Sequence, residues 1–131
     1  MSWSNKYIGI PYVLNGREMD GLDCWGLVRQ VYRQELRIEL PSYAGRYESV
    51  LDEEAFKECF NEGVGDWTPV EENDRREFDA IWLKLVGIEC HCGILLGSGR
   101  MLHASPGNDS HIVDITKTGW KRRITGCYRI Q

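Results

Sequence analysis

No apolar run in this sequence approaches the roughly 18 residues that a membrane span requires. The opening stretch MSWSNKYIGIPY also lacks the basic n-region and apolar h-region of a secretory signal. The expectation is a chain that stays out of the membrane and, if it reaches an envelope, is delivered there by something else. Excess positive charge is missing too. A net charge of -4 gives no basic field for neutralising phosphates, so the sequence predicts no nucleic-acid partner, and Lys121, Arg122 and Arg123 read as a short solvated edge. An even, regularly spaced cysteine set is absent. Cys24, Cys59, Cys90, Cys92 and Cys127 are odd in number, which predicts reduced thiols rather than a disulfide framework. Cys90-His91-Cys92 lacks the two to four residues that separate paired zinc ligands, and a strand there points His91 away from both sulfurs, so no metal site is expected. Repeats and low-complexity segments are likewise missing.

What is present fits one domain spanning residues 1–131, with 42% hydrophobic and 27% charged residues. Leu27, Val28, Val31, Tyr32 and Leu36 recur at helical spacing behind Asp23, a natural N-cap, and predict a helix from about Cys24 to Leu36 that stops before Pro41. A second helix is signalled by Asp52 as cap, Glu53 and Glu54 in the first turn, an apolar face of Ala55, Phe56, Cys59 and Phe60, and Gly63 as stop. From Asp79 onward, short runs separated by glycines (AIWLKL, HCGILL, RMLHA, HIVDI, ITGCYRI) read as strands of a mostly antiparallel sheet. The expected class is therefore α+β, with residues 64–78 as a long surface loop.

Cys24 poses the chemical question. The first turn of a helix stabilises a thiolate through its unpaired N–H groups and the positive end of its dipole. Free cysteines are nevertheless common packing residues, and a nucleophile needs a base within reach and a third group to orient it. His91 and His103 lie on adjacent predicted strands joined by GSGR. A two-residue loop at Ser98-Gly99 puts them on opposite faces. A three-residue loop, 97–99, pairs Leu96 with Arg100 and brings them to one face, with Gly93 opposite His103 leaving room for the imidazole to lean. The other face then holds Cys90, Cys92, Ile94 and Leu96 as plain core. His111, beside Asn108, Asp109 and Ser110, is expected in an exposed turn.

PYVLNG, DCWGLV, FDAIWL, HCGILLGSGRML and then His103 follow one another from Tyr7 to Ala104. In that order they resemble the NlpC-type cysteine peptidases, papain-like endopeptidases of bacterial cell walls. The resemblance implies a papain-like fold in which the helix carrying the nucleophile packs on the sheet. It implies Cys24 as nucleophile, His91 as general base and later acid, and His103 as the polar group that orients His91. Tyr12 and Asp23 match positions lining the substrate cleft, with Trp25 beside them, and no metal or organic cofactor is implied. The implied partner is a peptidoglycan stem peptide, cut after D-glutamate.

Two departures stand out. Trp25 occupies a position commonly held by serine, which in related enzymes helps receive the free amine of a stem peptide, and Phe78-Asp79 stands where the pattern has Gly-Asp. The stretch NGREMDGLDCWGLVRQVY with IELPSY downstream resembles the subgroup found in tailed bacteriophages. That implies a tail-tip protein with other tail-tip proteins as partners, made in the host cytoplasm and carried on the virion to the wall. An assembly module with dispensable catalysis, or an amidase or acyltransferase using the same triad, are the other expectations.

Overall fold

In the computed structural model, which describes residues 2–49, 52–63, 67–85, 87–97 and 99–130, the helix behind Cys24 forms where its spacing places it. A short antiparallel pair, β1 (Arg17–Glu18) and β2 (Gly21–Leu22), leads into α1 (Cys24–Val31). Asp23 caps α1 by accepting the Gly26 N–H at 2.8 Å. Leu27, Val28, Val31 and Tyr32 are buried against the sheet. The expected helix to Leu36 covers the right span, but Tyr32–Leu36 is a wider π-helical turn. It ends at Arg37, whose φ of 58° is left-handed, and the Ile38 N–H returns to the Tyr32 carbonyl at 3.1 Å. A five-residue apolar pattern does not separate that turn from α geometry.

The second helix, α2 (Glu53–Gly63), is capped as expected, with Asp52 accepting the Ala55 N–H at 3.1 Å. Its Phe56 packs edge-on to Trp82 at 6.0 Å. The Phe60 side chain lies outside what the structure describes.

Six strands make one antiparallel sheet: β3 (Trp67–Pro69), β4 (Ala80–Leu85), β5 (Ile88–Leu95), β6 (Arg100–Ser105), β7 (Asn108–Asp114) and β8 (Ile124–Ile130), with the short α3 (Thr118–Lys121) before the last. Their order is β3-β8-β4-β5-β6-β7, so β4 to β7 meander and the C-terminal strand returns between β3 and β4. Strand β3 corrects the expectation of a loop over residues 64–78, of which 64–66 lie outside the described residues. Trp67 pairs with Ile130 and buries its indole against Tyr32 and Trp82. Pro69 is tolerated because β3 is an edge strand. The arrangement is α+β, with α1 laid on one face of the sheet. The opposite face buries Ile81, Leu83, Leu95 and Met101 beneath Val113 and Trp120.

Two local features position the site. Ile94 pairs with Leu102 and Leu95 with Met101, and the Leu96 N–H meets the Arg100 carbonyl at 2.8 Å. The hairpin loop is therefore the three-residue one, with Gly99 at φ 72° supplying the left-handed turn residue. Further back, Leu83 pairs with His91 but Lys84 with Glu89, leaving Cys90 as the extra residue of a bulge. Bulges re-aim the side chains next to them.

Phe78 stands at φ 74°, where the resemblance has glycine. The strained residue is held by Trp3 stacked on its ring at 4.6 Å and by the Tyr32 hydroxyl donating to its carbonyl at 2.5 Å. Buried Asp79 beside it accepts two 2.7 Å bonds from Arg129.

Candidate active site

Cys24 is the first residue of α1, packed against the core yet open to the cleft. Two groups on β5, the Cys92 thiol and the His91 imidazole, act on its sulfur. His91 Nε2 lies 2.8 Å from His103 Nδ1, and both rings are buried. The structure thus brings Cys24, His91 and His103 into one row across α1, β5 and β6. Its odd hairpin loop is the one that puts both imidazoles on one face. Gly93 does not leave empty space there: a Cβ at that position would sit 2.6 Å from the Met101 sulfur, so methionine already fills the gap into which His103 was expected to lean.

Hydrogen bonding from Cys92 brings the Cys24 thiol down to about 5, helped by the hydrogen bond and charge of His91 and opposed by burial and by Asp23. The Cys92 thiol is pushed up, chiefly by burial, and stays a protonated donor. Burial, reinforced by the positive charges of His91, His111 and Arg123, lowers His103 to about 3. His103 is therefore neutral with a single ring proton. For His91 to carry protons on both nitrogens beside a thiolate, His103 must accept at Nδ1 and hold its own proton on Nε2. That Nε2 has no hydrogen-bond partner among the described residues. The Trp120 ring stands at 4.9 Å and 78° to the imidazole, and His111 at 4.6 Å.

Asp23 is built differently. Its Oδ1 accepts from the Gly26 N–H and from Arg17 Nη1, both at 2.8 Å, and its Oδ2 accepts from the Asn15 N–H at 2.9 Å and from the Tyr47 hydroxyl. Arg17 is itself held by the Ser42 carbonyl at 2.7 Å, the Gly16 carbonyl at 2.8 Å and the Tyr47 hydroxyl at 2.6 Å. The loop comes so close to α1 that a Cβ at Gly26 would lie 2.1 Å from the Gly16 carbonyl oxygen. Only glycine fits there.

The NlpC/P60 family model matches residues 9–129. The chain belongs to the NlpC/P60 family. It is 32% identical over 127 residues to the gamma-DL-glutamyl hydrolase of Bacillus subtilis, covering 96% of this chain and 27% of that protein. It is 26% identical over 122 residues to the murein DD-endopeptidase MepS/murein LD-carboxypeptidase of Escherichia coli, covering 93% of this chain and 56% of that one. The chain thus spans between about a quarter and just over half of these relatives. Among solved structures it superposes on the NlpC/p60 domain of the peptidoglycan hydrolase SagA with a TM-score of 0.65 at 23% identity, covering 97% of this chain and 92% of that one.

Within this NlpC/P60 fold the cleft encloses about 680 Å³ including its open mouth, and Tyr12, Asp23, Cys24, Trp25 and His91 all line it. Burial and the negative charge that Cys24 can carry push the Tyr12 phenol above its ordinary range, so it stands beside the sulfur as an O–H donor. Trp25 is 8% exposed. Its Nε1 donates to the Pro41 carbonyl at 2.8 Å, and its ring meets Tyr43 at 5.5 Å and Trp82 at 6.3 Å.

Sequence reasoning missed five residues here. Strand parity put Cys92 on the buried face with Ile94 and Leu96, where it lies, but gave no sign that this face meets Cys24. His111 is not in an exposed turn but in β7, paired directly with His103. Trp120 and the Arg17–Tyr47 pair come from distant segments, and only tertiary packing assembles them.

Proposed function

We propose that this NlpC/P60 domain is a cysteine peptidase that hydrolyses peptidoglycan stem peptides at the bond following D-glutamate. The observation that carries the reading is the Cys24–His91–His103 row at the start of α1. The Cys24 thiolate attacks the scissile carbonyl, and the developing oxyanion faces backbone N–H groups at the helix start. His91 gives its proton to the leaving amine, which departs as the thioester forms. A water then loses a proton to His91 and attacks the thioester, releasing the acid and restoring the Cys24 thiolate beside protonated His91. His103 acts through His91, keeping its ring aligned with Nε2–H directed at Nδ1. Every step is supplied by protein side chains, backbone and water.

The choice of bond is supported by the likeness to a relative named for γ-glutamyl hydrolysis, and the choice of wall by the likeness to a murein endopeptidase. The finer placement is at a bacteriophage tail tip, where the domain contacts other tail-tip proteins and opens the wall locally at the periplasmic side. Its support is the resemblance of NGREMDGLDCWGLVRQVY and IELPSY to tail-associated members.

Mass spectrometry of sacculi digested with wild-type protein and with Cys24→Ala tests both substrate and bond. New γ-D-glutamyl carboxyl ends and released amines from wild type alone are expected. No new fragment from wild type would sink the reading. Particles carrying Cys24→Ala test the tail role: normal assembly with poor wall penetration is expected, whereas fully infectious particles would make the domain an assembly module.

A further inference from the structure

The carboxylate next to Cys24 is already fully engaged. Asp23 is 1% exposed, accepts four hydrogen bonds and is ion-paired with Arg17. A carboxylate of that kind has no acceptor site and no uncompensated charge to offer an incoming ammonium. The neighbouring position, where related enzymes use serine to help receive a stem-peptide amine, is Trp25, and its single polar hydrogen is committed to Pro41. Of the cleft's other lining residues, Asp52 gives one oxygen to capping α2, while Tyr43, Phe56, Trp67 and Trp82 present aromatic surface around the sulfur.

We propose that the acyl side of this cleft takes an in-chain, N-acylated γ-glutamyl peptide and does not select a free α-ammonium group. The proposal rests on the hydrolase reading above and deepens it by naming the substrate class. An ammonium seated beside Cys24 gives up hydration without gaining a free acceptor from Asp23 or Trp25, and desolvating an unpaired charge is costly. An acylated nitrogen carries no charge, and the flat amide can lie against aromatic rings. A site discriminates sharply between two ligands only where it has built a polar partner for one of them. Here the partner that would reward a free amine has been turned inward to hold Arg17 and the helix start. The enzyme is thereby suited to intact chains, where the residue before the γ-glutamyl unit is still amide-linked, rather than to trimmed fragments with a free amino end.

The test uses two synthetic peptides of the form Ala-γ-D-Glu-X, one with a free amino end and one N-acetylated. The kcat/KM of the wild-type domain on each, and their Kd values on Cys24→Ala by calorimetry, are the readouts. The acetylated peptide is expected to be cleaved and bound at least as well as the free one. A preference of tenfold or more for the free amine, in turnover or in binding, overturns the proposal and leaves the hydrolase reading intact. Failure of both peptides to be bound or cleaved overturns the γ-glutamyl hydrolase reading and this proposal with it. Arg17→Met adds a second arm, with circular dichroism confirming the fold. Uncovering Asp23 should shift the ratio at least threefold towards the free amine, and an unchanged ratio in folded protein argues against the role given to Arg17.

Discussion

On one side of Cys24 lies Asp23, whose two oxygens accept four hydrogen bonds, one of them within an ion pair to Arg17. On the other lies His103, with one hydrogen bond to His91 and a buried Nε2 that has none among the described residues. Both residues are almost completely buried, yet their roles diverge. A carboxylate with every acceptor site filled is scaffold: it joins the Gly16 loop, Arg17 and the start of α1 into one rigid corner. An imidazole with capacity left over, seated under Trp120 and beside His111, can follow a change of charge on His91. Exposure alone does not distinguish the two; counting partners does.

The comparison can be broken most violently at the sulfur. Cys24→Ala should abolish hydrolysis, a loss on the order of 10⁴-fold or more by analogy with other nucleophile deletions, measured as fragment release from sacculi. Thermal melting of the variant should stay close to wild type, since the residue supplies chemistry and little packing. Asp23→Ala is predicted to do the reverse and strike stability first. Removing one partner of a buried ion pair costs about 3–5 kcal/mol, and the lost N-cap adds about 1 kcal/mol. Urea unfolding should show that loss even where residual activity can be measured. A midpoint unchanged from wild type would mean the saturated carboxylate is not a keystone.

On the relay side the effects are smaller and kinetic. His103→Ala removes a hydrogen bond to an imidazole that must carry charge, worth about 1.5–3 kcal/mol, so kcat should fall about 10- to 150-fold with KM little changed. Cys92→Ala removes the leading cause of the low Cys24 pKa, and the pH at which Cys24 becomes alkylated should rise, with Cys92→Ser restoring part of the shift. Trp120→Leu is the mildest. Losing the ring against His103 forfeits about 0.5–1.5 kcal/mol of aromatic contact, an effect of about two- to tenfold on kcat. A pH profile displaced along with it would separate the tautomer role from simple packing.

Much of this arrangement is legible in the sequence, and the boundary is physical. AIWLKL and ITGCYRI coincide with β4 and β8, because short β-prone runs bounded by turn residues are local properties. The His91–His103 pairing follows from loop parity once Gly99 is recognised as the left-handed residue. The π turn after Val31 and strand β3 were not legible, since five residues do not separate two helical periods and a three-residue edge strand ending in proline exists only through its partner β8. Asp23 could be read as a cap from its position. Its saturation could not, because Asn15 and Arg17 at the start of β1 and Tyr47 in a later loop reach it by a convergence that is tertiary. Cys92 was legible as a core residue, but its place beside Cys24 was not, because the seating of α1 on that face of β5 is tertiary.

The alkylation rate of Cys24 as a function of pH, followed residue by residue with peptide mass spectrometry, tests the central claim most directly. The thiolate is the reactive form, so its fraction falls as pH drops through the thiol's pKa. With that pKa near 5, the rate should be half-maximal at about pH 5 and flat above pH 6, while Cys90 and Cys127, raised to about 11 by burial, stay unmodified. A Cys24 rate that is negligible at pH 6 and climbs only towards pH 9 would contradict the account.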